Sequence, residues 1–273
     1  MSRIKWDQSG DRLYQTGDKN GVMYPQNTDG SYAKGAGWNG LTAVTESPSG
    51  AEPTDLYADD MKYLSIRSKE EFGFTIQCYD YPDEFDQCNG YAEITTGVKI
   101  GQQARHAFGF SYTSTLGNDT MGDDYGYIIH LFYNATASPS ERSHSTINDS
   151  PDAIEFSYEC TTIPVAVDGF RPTSTIEIDS TAFKTTQEIA KLNAFLDVIW
   201  GSDGGTTYTA AEITDNKFEP GLVYFERSGT EGSYVYTETE ATTPIAGTTY
   251  YTNGARTPYL PLPDEVARLL SAS

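Results

Sequence analysis

The chain has 273 residues and a formal net charge of −21, from 18 Lys+Arg against 39 Asp+Glu. That sign excludes a protein that grips nucleic acid along its whole surface by neutralising phosphates. A hydrophobic share of 37% and an aromatic share of 13% exclude intrinsic disorder.

The 20 tyrosines, with abundant Thr and Gly, favour strands, because aromatic and β-branched side chains fit a pleated surface. Coiled coils and helical bundles are disfavoured. The acidic surface has two readings: it keeps the protein soluble, or it repels DNA so that DNA slides past. Cys78, Cys88 and Cys160 are odd in number and lack CxxC spacing, against both a disulfide framework and a zinc knuckle. No apolar run opens the chain and none approaches the ~20 residues of a membrane span, so synthesis and folding in a cytoplasm are expected.

Residues 1–50 are polar and Gly-rich, with turn dipeptides at Asn20-Gly21, Asp29-Gly30 and Asn39-Gly40. They read either as an extended arm ordered by neighbouring subunits or as a hairpin-rich lobe. Strands are predicted at 61–67 and 72–79, framing a turn at Ser68-Lys69-Glu70. In the second, Phe72, Phe74, Ile76 and Cys78 alternate with smaller or polar residues, the period of a half-buried strand. Tyr81-Pro82-Asp83-Glu84-Phe85 reads as a short helix start.

Further strands are predicted at 104–113, 125–133, 153–161 and 175–178, with long loops at 115–124 and 134–151. This spacing suits an antiparallel sandwich or barrel. One helix is predicted over 186–200. Thr185 and Glu188 have capping-box spacing, Ile189, Leu192, Leu196 and Ile199 form an apolar stripe, and Gly201 ends it. From 204 to 254 a Thr/Tyr/Gly/Glu-rich stretch carries short alternating runs, a small β-meander inserted into a parent domain of 1–203 and 255–273. A brief helix over 264–270 closes the chain.

Motifs for chemistry are missing. Ser111, in Gly-Phe-Ser-Tyr-Thr, lacks the second glycine of a hydrolase elbow. His106, His130 and His144 have no HExxH spacing and no cysteine company. Acid pairs such as Asp59/Asp60, Glu70/Glu71 and Asp123/Asp124 are expected by chance among so many acids, and neighbours on a strand face opposite ways. The 118–124 loop is oxygen-rich without a calcium-loop pattern. No catalytic, cofactor-binding or metal-ligating residue is expected, and the chain reads as an assembly subunit or binding module.

Several runs carry a resemblance: RLYQTGDKNGVMYPQ, GWNGLTAVTESPSGAEPTDLYADDMKYL and EEFGFTIQCYDYPDEFDQC, then VKIGQQ, LGNDT, HLFYNATASPSER, TINDSPDAIEFSYE, TTIPVAV, GFRPTSTIEIDST and LPLPDEV. Collinear over 5–200 and 256–270, they resemble the major tail proteins of siphophages and prophages of Gram-positive bacteria. The resemblance implies a mainly β fold: a tail-tube-type antiparallel sandwich or partial barrel with one flanking α-helix, here with a small β-rich insertion near the C-terminus. It implies stacked, hexameric rings forming a conduit for DNA ejection, with the N-terminal arm and a long loop reaching into the next ring. Implied partners are further copies of the chain, the tape measure, tail terminator and distal tail proteins, and DNA that passes the lumen without specific binding. The implied location is the virion tail.

Phe72, Phe74, Ile76, Tyr81, Pro82 and Phe85 are the candidate inter-subunit residues, since strand pairing supplies many backbone hydrogen bonds at once. Glu70, Glu71, Asp152, Glu155 and Glu159 are the candidate lumen acids. Segment 204–254 departs from the family pattern and reads as an outward decoration or a passive insertion. A carbohydrate-binding or adhesive β-sandwich is the rival reading, and a glycan-active enzyme using an acid pair the third.

Overall fold

The computed structural model describes residues 3–144, 146, 153–231 and 233–271. In chain order its strands begin with β1 (Leu13–Pro25), β2 (Ala36–Gly37), β3 (Leu41–Glu46), β4 (Ser49–Gly50), β5 (Pro53–Ala58) and β6 (Met61–Arg67). Next come β7 (Glu70–Glu71), β8 (Gly73–Cys78), β9 (Ala92–Thr95), β10 (Val98–Ile100), β11 (Phe108–Asn118) and β12 (Gly122–Ala137). The last are β13 (Phe156–Thr162), β14 (Thr175–Asp179), β15 (Thr209–Ala210), β16 (Phe225–Ser228), β17 (Val235–Glu238) and β18 (Tyr250–Thr252). Helices α1 (Thr186–Trp200) and α2 (Pro263–Leu270) complete the chain.

The fold is mainly β and antiparallel, a sandwich that curls into a partial barrel with helices on one side. The main sheet runs β2-β1-β11-β12-β13-β8-β3, and β14 pairs with β12 off that path. Strand β12 is shared: residues 128–132 pair with β14 and residues 135–137 with β13. Between them Asn134 takes a left-handed φ of 48°. The extra residue resets the alternation, as a bulge does: Phe132 faces the barrel before it, Ala135 and Ala137 after it.

Beyond the bulge, β13, β8 and β3 fold over the central strands. Strand β3 comes back alongside β1, where Val44 N donates to Asp18 Oδ2 instead of to a ladder carbonyl. A side-chain contact, not strand pairing, closes the barrel.

Both faces of the central sheet are therefore covered, which is why all of β11 is buried. Its barrel face carries Phe108, Phe110 and Tyr112, packed with Trp38, Phe74, Phe132 and Tyr158. On the opposite face Val22, Tyr24, Ile129, Leu131 and Tyr133 meet Leu192, Phe195 and Ile199 of α1 and Leu260 and Val266 near α2. Gly109 lets the C-terminal segment approach: a Cβ there would sit 2.3 Å from Leu260 Cδ2. Tyr24 spans the layer, donating from its hydroxyl to the Ile199 carbonyl at 2.7 Å beside Ser111 Oγ. The bond satisfies one of the orphan carbonyls at the end of α1.

Helix α1 begins at the predicted capping box, with both reciprocal bonds of Thr185 and Glu188 in place. The apolar face differs from the predicted stripe, because Phe195 and Val198 are buried while Ile189 is exposed.

Of the two readings of the N-terminal stretch, the described residues lie nearer the lobe: β1 pairs along β11, and Met23, Tyr24, Tyr32 and Trp38 are core residues. Three expectations are corrected. Residues 115–124 are not a long loop but the paired ends of β11 and β12 with a tight turn at 119–121, organised by Asn118 Oδ1 accepting from the amides of Thr120 and Met121. The short helix after Tyr81 is only a 3-10 turn at Asp83–Phe85. Ser68-Lys69-Glu70 is not the turn of a hairpin, since Glu70 pairs with Gly50 and Arg67 with Pro53 in one register.

Segment 204–254 builds its own sheet, β15-β18-β16-β17. Its interior is aromatic: Tyr224 and Tyr250 are buried against Phe218, and Tyr208 stacks on Tyr236 at 4.1 Å. The segment leaves and rejoins the parent domain at one place, where Ser202 and Arg256 exchange backbone hydrogen bonds.

Candidate functional site

The most unusual feature is one long β-hairpin over residues 41–78. Its base is β3 paired with β8 in the barrel, where Glu46 faces Phe74. The same register continues without a slip through Ser49 opposite Glu71 and Pro53 opposite Arg67, as far as Leu56 opposite Leu64. Backbone bonds Ser47 N→Gly73 O, Ala51 N→Lys69 O and Ser68 N→Glu52 O bridge the pieces. The 68–71 stretch thus continues in register between β6 and β8, opposite Gly50 and Ala51 in left-handed backbone. The real turn is Asp59-Asp60, both residues in left-handed backbone with φ of 51° and 60°, the conformation of a two-residue type I′ turn.

Past residue 47 this arm leaves the barrel, and at ~3.3 Å per residue it extends for about 35–40 Å. Every residue of β6 is exposed, including the apolar Met61, Tyr63, Leu64 and Ile66. Tyr57 is 71% and Tyr63 72% exposed, and Leu56, Met61, Leu64 and Ile66 are also open. Leu56, Leu64 and Ile66 share one face, since the first two are directly opposed and strand side chains repeat every second residue. Such contiguous exposed apolar surface marks an interaction site. Each side chain would contribute roughly 1.5–3 kcal/mol on full burial.

A second surface is the outer face of β3, β8 and β13. Cross-strand register sets Ala43, Gln77 and Ser157 in one row and Thr45, Thr75 and Glu159 in the next. These rows hold one carboxylate and no cation.

The predicted contact residues distribute differently from expectation. Strand β8 is paired on both sides, by β3 and β13, so it offers no edge to a neighbouring subunit. Phe74 and Ile76 are core side chains, and Phe72 packs partly buried against Phe132. Phe85 is fully buried, Tyr81 packs edge-on against Phe85, Phe156 and Tyr158, and Pro82 caps the 3-10 turn. Arg142 holds that corner, donating to the hydroxyls of Tyr81 and Tyr158. These aromatic side chains pack within the chain's own core.

Of the predicted lumen acids, Glu70 and Glu71 lie at the root of the arm and are exposed. Glu159 stands on the outer face of β13, and Glu155 accepts from Thr42 Oγ1 at 2.7 Å at the same face's margin. Asp152 lies outside the described residues.

At the barrel mouth, residues that the motif search passed over come together. His130 of β12 stacks on Tyr112 of β11 at 4.4 Å and 8°, and Glu46 of β3 and Glu177 of β14 face its Nδ1. Burial pushes the His130 pKa below its ordinary value, against the opposite pull of Glu46, Glu177 and Asp18. Burial and the Glu46 carboxylate hold the Tyr112 phenol protonated. The cysteines are buried and unpaired, with burial raising Cys78 to about 11 and Cys88 to about 12. Thiols so placed are poor nucleophiles.

No family model and no curated protein matches the chain. Among the described residues no helix is long and apolar enough to cross a membrane.

Proposed function

We propose that the chain is a structural subunit of a bacteriophage tail tube, assembling into stacked, hexameric rings that conduct DNA. The observation that carries this reading is the hairpin at 41–78, anchored in the barrel at its base and apolar and exposed over its outer length. A monomer gains nothing from such an arm, whereas a neighbouring ring that receives it buries Tyr57, Tyr63, Leu64 and Ile66. In this reading the arm is the long loop that reaches between rings.

The outer face of β3, β8 and β13 then lines the lumen. A cation there would repeat in every copy and build a ladder of phosphate contacts, whose affinity grows steeply with the number of phosphates neutralised. Thr, Ser, Gln and Glu avoid that. The tape measure, tail terminator and distal tail proteins are the partners of such a tube.

Negative-stain electron microscopy of the purified protein, with mass photometry across a concentration series, tests the reading. Rings or tubes of uniform diameter are expected. Monomers at every concentration would overturn it in favour of an adhesive or carbohydrate-binding module.

A further inference from the structure

The cluster at the barrel mouth has no part in the assembly reading. Its three members come from three strands: Glu46 from the end of β3, His130 from the middle of β12 and Glu177 from β14. The His130 side chain is nearly sealed, 7% exposed. Its Nε2 meets Ser114 Oγ at 2.9 Å. Its Nδ1 is buried and has no hydrogen-bond partner among the described residues, a costly state for a polar atom in a folded interior. That nitrogen points at two carboxylate oxygens, Glu46 Oε1 at 3.5 Å and Glu177 Oε1 at 3.8 Å. All three atoms lie within 4.8 Å of one another.

We propose that Glu46, His130 and Glu177 bind a divalent transition-metal cation of the Zn2+ class, with water completing the coordination. Ligand atoms ~2.0–2.2 Å from a shared tetrahedral ion sit about 3.4 Å apart, so the observed separations need only small side-chain movements. The surroundings are those of a ligand set. With the Nε2 proton donated to Ser114 Oγ, Nδ1 presents its lone pair, and the second-nitrogen bond fixes the ring as in other metal-bound histidines. The Tyr112 ring stacks on the imidazole and its hydroxyl donates to Glu46 Oε1 at 3.0 Å, orienting both.

Asp18, also nearby, is already engaged by the Val44 amide at 3.0 Å and is left outside the set. Glu177 keeps 59% of its side chain in solvent, an entry path for the ion. One imidazole with two carboxylates suits Zn2+, Co2+ or Mn2+ better than Ca2+ or Mg2+, which take nearly all-oxygen shells of six or more ligands.

The ion would tie β3 to β12 and β14, neither of which pairs with it. It therefore staples the barrel at the end where the Val44 amide of β3 bonds the Asp18 side chain of β1.

The test uses the full chain, stripped with EDTA and desalted, with Co2+ as the optical probe and Zn2+ followed by calorimetry and thermal unfolding. Saturable binding with a visible Co2+ d–d band and no thiolate charge-transfer band is expected, together with a Zn2+-dependent rise in Tm. Glu177→Gln, at a half-exposed position that tolerates the change, should weaken Zn2+ binding at least tenfold, as should His130→Gln. His106→Gln and His144→Gln should bind as the parent does, and circular dichroism checks that each variant is folded. Absence of saturable binding by the parent, a thiolate band, or undiminished binding by either His130→Gln or Glu177→Gln would overturn the proposal.

Discussion

Strands β6 and β8 lie a few residues apart on the same arm of one hairpin, and both carry large apolar side chains. In β8, Phe74, Ile76 and Cys78 are sealed in the barrel while Thr75 and Gln77 face outward. In β6, Met61, Tyr63, Leu64 and Ile66 are all open to solvent, on both faces. The difference separates two kinds of apolar strand. The first is explained by the chain's own core; the second needs a surface that this chain does not supply to itself. Hydrophobicity alone does not distinguish them, and burial in the single chain does.

The sharpest way to break the comparison is one truncation in each strand. Phe74→Ala should cost about 3–5 kcal/mol by chemical denaturation, the usual range for emptying a packed aromatic site. Tyr63→Ala should change monomer stability by no more than ~0.5 kcal/mol, as exposed substitutions do, while lowering the yield of tubes. A large loss of monomer stability for Tyr63→Ala would mean that the arm folds back onto its own barrel.

A second experiment concerns the polar face. Thr75→Lys with Glu159→Lys, at directly paired positions of β8 and β13, should leave tubes intact. Ejection of DNA from virions carrying them should slow, most at low ionic strength where screening is weakest. Rates that stay unchanged at low salt would remove that face from the lumen.

The smallest effect belongs to α1, which packs beneath the central sheet away from both strands. Thr185→Ala should cost ~1 kcal/mol through the lost cap, with tube yield unaffected. The Glu188 carboxylate is held below the usual carboxylate range, first by the Thr185 amide and then by that of Lys184. Its contribution is therefore present above the ordinary carboxylate pKa and is lost as the pH falls through the lowered value. The deficit of Glu188→Ala, measured by thermal unfolding at pH 7, should shrink on acidification.

What was legible in the sequence was local. The capping box spans four positions, the alternation of β8 six, and the meander of 204–254 is flanked by its own turn residues. The antiparallel β fold with a flanking helix follows from such signals. What was hidden depends on register between distant segments. The first half of β1 is polar and exposed and its pairing with β11 is broken by bulges, so it reads as an irregular arm. Ser68-Lys69-Glu70 has turn composition yet does not reverse the chain, because the register set at β3 and β8 carries through it. The Asp59-Asp60 turn looks like any acid pair. The cluster of Glu46, His130 and Glu177 exists only because β12 is flanked by β14 on one edge and the barrel brings β3 over its face. No spacing rule in one sequence encodes that.

The most direct measurement is electron microscopy of the parent protein beside a Leu64→Asp/Ile66→Asp variant, with monomer folding of both checked by circular dichroism. Rings or tubes from the parent, and folded monomers from a variant whose arm can no longer be buried, are the expected pair of results. Tubes of equal yield and diameter from both proteins, or monomers from both, would contradict the role assigned to the arm.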